Sequence, residues 1–348
     1  MTSLPNDPFL AAARGQQATH TPVWFMRQAG RSLPEYKALR GEGSILDAIK
    51  KPELAAEFTL QPVRRHNVDA AVLYSDIVVP AHAVGFGIDV APGTGPVAPS
   101  PLRSRNDLAR LRPLHHEDIE YVTDTVLALV KELKVPLLAF AGAPFTVASY
   151  LIEGRPSRTY ENTKRLMRED EVLWHDVMEH LAQHSVEFIS AQISAGAEAF
   201  QLFDSWAGAL SPPDYEKFVL PHSQRVFAEV ADLNVPRIHF GVGTGELLGL
   251  MASAGADVVG VDWRVPIDVA RTRVPVNIAL QGNLDPALAF APWDVVAEAT
   301  RDVLRRNAGN PGHIFNLGHG VMPETDPTIL ERVVELVHNE GRCDGVAS

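Results

Sequence analysis

TPVWFMRQAGRSLPEY, residues 21–36, joins a core segment directly to a cluster of positive charge. Val23-Trp24-Phe25-Met26 is an unbroken apolar run, the pattern of a strand buried on both faces. It stops at Arg27; Gly30 and Arg31 follow. A core strand that ends on two guanidinium groups predicts that the space beyond its C-terminal end receives an anion.

The same kind of run recurs along the chain: AAVLYS (70–75), LLAFAG (137–142), AFQLFD (199–204), RIHFGVG (237–243), VVGVDW (258–263), VNIALQG (276–282) and HIFNLGH (313–319). Helical patterns lie between them. Residues 117–133 carry an apolar stripe through Ile119, Val122, Val126, Leu129, Val130 and Leu133. Residues 170–196 form a long pattern that stops at Gly196. Residues 212–233 contain Pro221, which predicts a kink or two helices. Residues 326–339 open on Asp-Pro, an N-cap followed by a first helical position. Eight runs alternating with helices predict an α/β fold, a (β/α)8 TIM barrel, with an open doubly wound sheet as the competitor. GFGIDVAPGTGPVAPS (85–100) reads as a loop or hairpin on the barrel. No fixed-period repeat, low-complexity tract or heptad series interrupts the pattern. Residues 1–348 are read as one domain, with about twenty residues at the N-terminus and about eight at the C-terminus expected to be flexible.

The 348 residues carry a formal net charge of −12, with 46% hydrophobic and 21% charged residues. This is an ordinary globular composition and enough chain for a full core. Its charge disfavours nucleic acid and anionic membranes as partners, so an anionic ligand must meet a local positive cluster. The one cysteine, Cys343, leaves no intrachain disulfide or cysteine-based zinc site and fits a reducing cytoplasm. The first residues lack a basic region followed by an apolar one, so no signal peptide is expected. The longest apolar stretches are broken by Pro and Gly, so no membrane span is expected.

In such a barrel the loops after the strands form the catalytic mouth. Polar residues fall there after five of the runs: Arg27, Asp76, Tyr150, Asp204 with Ser205, and His319. Each has a plainer reading. Asp76 could cap the next helix, His319 could be a hydrogen-bonded wall residue, and Tyr150 a core filler. Ser205 could be a turn residue. Arg27 and Arg31 could pair with surface carboxylates such as Glu35, which would be worth little. Joint placement on one face argues for a site. Other chemistries fit less well. GVGTGEL (241–247) lacks a third glycine in phase for a dinucleotide, although its N–H groups could face an anion. Ser205, His319 and Asp76 could be drawn as a hydrolase triad, but Ser205 lacks a G-x-S-x-G elbow.

The segments PVWFMRQAGRSLPEY, YSDIVVP, GAPFTVASYLIEG, QGNLDP and NLGHGVMPETDP resemble the uroporphyrinogen decarboxylase family of the haem pathway. The likeness runs from about residue 20 to about residue 340. It implies a single-domain (β/α)8 barrel that forms a homodimer. The implied reaction removes carbon dioxide from the four acetate side chains of uroporphyrinogen III, giving coproporphyrinogen III without cofactor or metal. Carried over by motif, the substrate-binding positions are Arg27, Gln28, Ala29, Gly30, Arg31, Asp76, Tyr150, Ser205 and His319, with Asp76 and Arg27 catalytic. The serine segment is the least exact match.

The chemistry suits these residue types. Arginine holds carboxylates bidentately. Loss of carbon dioxide leaves a carbanion that needs an electron sink, and a ring-protonated pyrrole supplies one without a cofactor. Asp76 is the expected counter-charge to the pyrrole nitrogens. Trp24, Phe25 and Met26 are expected to supply an apolar lining, and His319 to titrate in the neutral range. Arg27 is expected to hold the departing carboxylate and relay a proton, with His319 and Tyr150 binding side-chain carboxylates. Two competitors remain. One is a zinc-dependent corrinoid or thiol methyltransferase of the same superfamily, whose zinc-ligand cysteine would fall at Gly241 in HFGVG. The other is a tetrapyrrole carrier without activity.

Overall fold

The computed structural model describes residues 7–91 and 93–342. Residues 343–348, including Cys343 and most of the C-terminal segment expected to be flexible, lie outside the described residues. The strands are β1 (Ala71–Val72), β2 (Asp89–Ala91), β3 (Gly95–Val97), β4 (Leu137–Gly142), β5 (Ala199–Asp204), β6 (Arg237–Gly241), β7 (Val258–Gly260), β8 (Ala279–Gln281) and β9 (His313–Ile314). Seven form one parallel sheet in the order β1-β4-β5-β6-β7-β8-β9. Spatial order follows chain order throughout, whereas a doubly wound sheet reverses at a switch point. β2 and β3 pair antiparallel, so the Gly- and Pro-rich insert is a hairpin.

The run at 23–26 is not a regular strand. It lies between β9 and the entry to β1, held by a single parallel bridge from Val23 to Phe315. Trp24 donates to the Phe315 carbonyl, Phe315 to that of Pro22, and Asp69 to that of Val23. Side chains replace the remaining ladder. The Val23 N–H donates to the Asp69 carboxylate at 2.7 Å, that of Phe25 to Gln28 at 2.9 Å and that of Met26 to Asn316 at 3.1 Å.

Every residue of β4 is buried, as its continuous apolar run predicts. Helix Glu171–Ala195 packs on β4 and on helix Pro144–Glu153. It is capped by Asp170 and stops at Gly196, whose φ is +123°. The segment around Pro221 is two helices, Pro212–Phe218 and Leu220–Glu229, with the proline in the first turn of the second. There its missing N–H costs nothing. The stripe at 117–133 begins as a 3-10 turn, His116–Ile119, and continues as helix Glu120–Leu129. The last helix runs Pro327–Glu340, with the Asp326 side chain accepting from Thr328 N–H.

Of the N-terminal segment expected to be flexible, residues 1–6 lie outside the described residues, and the part from Asp7 onward carries a helix. Helix Pro8–Ala13 is capped by Asp7, which accepts from Leu10 N–H at 2.9 Å. It buries Phe9, Leu10, Ala12 and Ala13 and packs against β9. Its apolar composition, PFLAAA, gives it a place in the core.

Candidate active site

The polar residues gather beyond the C-terminal ends of the strands. Arg27 follows the first run directly, in a left-handed conformation with φ of +61°; Gly30 has +89° and Arg31 +52°. Holding two arginines there costs roughly 1–3 kcal/mol each, a strain that clusters at functional sites. The conformation turns the chain sharply. It leaves the N–H groups of Ala29, Gly30 and Arg31 without a protein acceptor among the described residues. Gly30 is needed for a second reason. A Cβ there would lie 3.3 Å from the rings of both Tyr36 and Tyr74.

Neither Arg27 nor Arg31 makes an ion pair among the described residues. Glu35, the partner of the plainer reading, is held instead by Arg65 at 3.1 Å. The Arg27 stem lies on Gly320, where an added Cβ would come 2.5 Å from its Cδ. This seats the guanidinium beside the loop that follows β9. Its positive charge there is felt by Asp76, Tyr150 and His319, which places the four in one cluster.

Asp76 is half-buried and does not cap the following helix, Val79–Ala83. Its carboxylate accepts from the Val78 N–H at 3.1 Å. Burial raises its pKa, against the lowering effects of backbone N–H groups and of Arg27. Tyr150 is half-buried, with its ring 3.8 Å from that of Trp206. Burial and the nearby Asp76 charge push its hydroxyl pKa up, so it is a hydrogen-bond donor and not an acid at neutral pH. The expectation that His319 titrates near neutrality is corrected. Burial first, then Arg27, lowers its pKa to about 4. Its Nδ1 accepts from the Gly320 N–H, which leaves Nε2–H as the donor of a neutral ring.

Ser205 is half-buried in the loop after β5. The adjacent Trp206 N–H donates to Thr146 Oγ1 at 3.2 Å, and Thr146 donates to the buried Asp204 at 2.9 Å. This chain fixes the loop that carries both Ser205 and the ring against Tyr150. Arg31 joins the site through its turn; no contact places it in the cluster. Ala29 is half-buried with a free N–H.

Gln28 is a structural residue. Its amide bridges the Phe25 N–H and the Ala70 carbonyl, at 2.9 and 3.0 Å, and its own N–H bonds Phe25. The lining is corrected as well. Trp24, Phe25 and Met26 are fully or almost fully buried, and Trp24 Nε1 donates to Gln281 at 3.0 Å, inside the sheet. The apolar surface next to His319 comes from a file of rings, Phe240, Phe203 and Phe140, with centroids 5.4–6.5 Å apart. Trp206, Gly320 and these rings were not singled out from the sequence, because each acts through a neighbour on another strand.

The alternative chemistries find no geometry. No hydrogen bond links Ser205, His319 and Asp76, since His319 Nδ1 is taken by Gly320 and Asp76 by Val78. The Gly243 N–H, a possible anion donor, is occupied by the Asp262 carboxylate. At Gly241 a Cβ would lie 2.5 Å from Thr244 Cγ2 and 3.1 Å from the Asp204 carbonyl, so the site has no room for the cysteine a zinc methyltransferase would need.

The profile of the uroporphyrinogen decarboxylase (URO-D) family matches residues 4–340. The chain is 59% identical over 334 residues to a uroporphyrinogen decarboxylase of Salinispora tropica, covering 96% of this chain and 90% of the relative. It is 58% identical over 339 residues to that of Thermobifida fusca, covering 97% and 94%. Among solved structures, a methyltransferase from Methanosarcina mazei matches with a TM-score of 0.76 at 18% identity, covering 96% and 98%. A B12-independent methionine synthase from Shewanella matches with 0.60 at 14%, covering 92% and 98%. Likenesses this distant report the fold alone. The chain belongs to the uroporphyrinogen decarboxylase family.

Proposed function

We propose that this family member removes carbon dioxide from the four acetate side chains of uroporphyrinogen III, giving coproporphyrinogen III. It is a carboxy-lyase of porphyrin biosynthesis. The observation that carries the site assignment is the convergence of one unpaired guanidinium, Arg27, with Asp76, Tyr150 and His319 beyond the strand ends.

The substrate brings eight carboxylates to a chain of net charge −12. Arg27, Arg31 and the free N–H groups of Ala29, Gly30 and Arg31 supply the local positive field that binding requires. Asp76 accepts hydrogen bonds from the pyrrole N–H groups. Protonation of a ring carbon makes that pyrrole a cation, which the carboxylate stabilises electrostatically. The C–CO2 bond then breaks, its electron pair flows into the cationic ring, and carbon dioxide leaves. Protonation of the exocyclic carbon gives the methyl group, and loss of the ring proton restores the pyrrole. Arg27 holds the departing carboxylate and relays a proton. Neutral His319, donating from Nε2, and Tyr150 hold other carboxylates, and Ser205 adds a hydroxyl. The phenylalanine file excludes water and strengthens the field.

The reading extends to a closed eight-membered barrel, with residues 22–26 between β9 and β1 as the eighth member. It takes residues 1–348 as one domain around one hydrophobic core. It also takes the protein to be a cytoplasmic homodimer, in keeping with the single cysteine. Sedimentation equilibrium tests the dimer. Anaerobic incubation with uroporphyrinogen III, with product carboxylates counted by mass, tests the reaction. Binding without release of carbon dioxide would make the protein a carrier.

A further inference from the structure

At the opposite end of the strands lies a second cluster that the decarboxylation does not use. His20 precedes the first run, Asp69 precedes β1, and His338 stands near the end of the last helix. His20 Nε2 is 3.0 Å from Asp69 Oδ1, and His338 Nε2 is 2.8 Å from Asp69 Oδ2. The imidazoles meet edge to face with centroids 4.7 Å apart, and all three ligand atoms lie within 4.8 Å of one another. Six residues, 21–26, separate His20 from Arg27, and most of them are extended, so this cluster is roughly 20 Å from the catalytic mouth.

We infer that His20, Asp69 and His338 form a binding site for a divalent transition metal, zinc in the first place. Two imidazoles and a carboxylate are a common zinc-ligand set. Bonds of about 2.0–2.2 Å in a tetrahedral site set ligand atoms roughly 3.4 Å apart. The N···O contacts open by a few tenths of an ångström to reach that spacing, and the two nitrogens already lie within 4.8 Å of each other. Both histidines are partly exposed, with side chains 24% and 22% accessible, so their rings have room to move. The carboxylate is held in place because Asp69 Oδ2 also accepts from the Val23 N–H at 2.7 Å. Thr19 Oγ1 lies 3.2 Å from His20 Nδ1 and accepts a hydrogen bond from Nδ1–H once Nε2 binds metal. Asp7 adds a second carboxylate to the local field. A metal here ties the segment before the first run, the loop before β1 and the last helix together. Its role is therefore structural.

The test uses the full chain stripped with chelator and titrated with Co2+ and then Zn2+. The expected result is one equivalent of Co2+ with a d–d absorption band, displaced by Zn2+, and a higher melting temperature with metal. His20→Gln and His338→Gln, made singly, abolish stoichiometric binding while decarboxylation persists. Less than one equivalent bound by the wild type overturns the proposal, as does full binding by both variants. Zinc lost only in a His239→Gln variant, at the histidine that opens HFGVG (239–243), would also overturn it and would favour the methyltransferase reading. X-ray absorption on the zinc-loaded wild type stands independent of variant folding. Two imidazole nitrogens and a carboxylate support the site; a sulfur ligand sinks it.

Discussion

Asp76 carries its charge where burial resists it, and that conflict separates its function from its contribution to stability. Burial raises its folded pKa, so folding disfavours its anion relative to the unfolded chain. A carboxyl group of this kind stabilises the fold at low pH, and that contribution is lost as pH rises through its folded pKa. Asp76→Asn keeps the shape and removes the charge. At neutral pH its melting temperature should equal or exceed that of the wild type, while kcat falls by about 10²–10³. Thermal melting and anaerobic turnover, measured on the same preparation, check both; unchanged turnover would remove Asp76 from the chemistry. Arg27→Ala should lower kcat more than it raises KM if, as proposed, the guanidinium holds the carboxylate that departs. Near-normal turnover at saturating substrate excludes that role. His319, neutral above pH of about 4, should leave no limb near 6.5 in the pH profile of kcat/KM.

At the scale of the element, the turn after the first run is the part most exposed to a small change. Gly30→Ala meets a φ of +89° and two tyrosine rings at 3.3 Å. The backbone cost is roughly 1–2 kcal/mol, and the turn that aims Arg27 and Arg31 must shift. A KM for the polycarboxylate substrate raised about tenfold or more is expected, read by steady-state kinetics beside a melting curve. This turn also shows where the sequence could be read and where it could not. The run at 23–26 was legible as buried and as ending on the mouth, because apolar continuity and Arg27 are local signals. Its hydrogen bonding was not legible. Asp69, Gln28 and Asn316 substitute for ladder partners, and nothing near residue 25 in the chain announces Asn316. The run at 70–75 shortens to Ala71–Val72 for a related reason, since the Tyr74 N–H turns to Thr59 Oγ1 at 2.9 Å. Gln28 sits among true loop residues and reads as one of them; only the fold shows both ends of its amide engaged inside. Trp206 and Gly320 act across strands, so a linear pattern gave them no weight. Asp326-Pro327 and Gly196, by contrast, mark helix ends through their own backbone chemistry and were placed correctly.

Over the whole molecule, the acidic balance and the buried histidines set how the protein meets low pH. His66, His222, His313 and His319 each have a pKa lowered from 6.5 to about 4, burial being the first cause in every case. Their folded forms are neutral where the unfolded chain is protonated. A histidine whose folded pKa is depressed gives stability that is fully present above the unfolded pKa and is lost as pH falls toward the folded value. The window is therefore pH 6.5 to about 4, and unfolding within it takes up about four protons at these sites, with a further contribution from His184, whose pKa burial also lowers. Asp7, Asp76 and Glu198, all raised chiefly by burial, act with the opposite sign and blunt the slope. The histidines prevail because each has a large shift and all four begin to charge in the unfolded chain before the carboxyls titrate. Melting temperature should be level from pH 8 to about 7 and then fall continuously to pH 4.5. Replacing His313, whose Nε2 bonds the Gly282 carbonyl at 3.0 Å while its Nδ1 has no partner, by Gln should flatten that fall by about a quarter. A melting temperature that stays constant or rises between pH 6.5 and 5 would show that the buried carboxyls, and not the histidines, govern the acid limit of the fold.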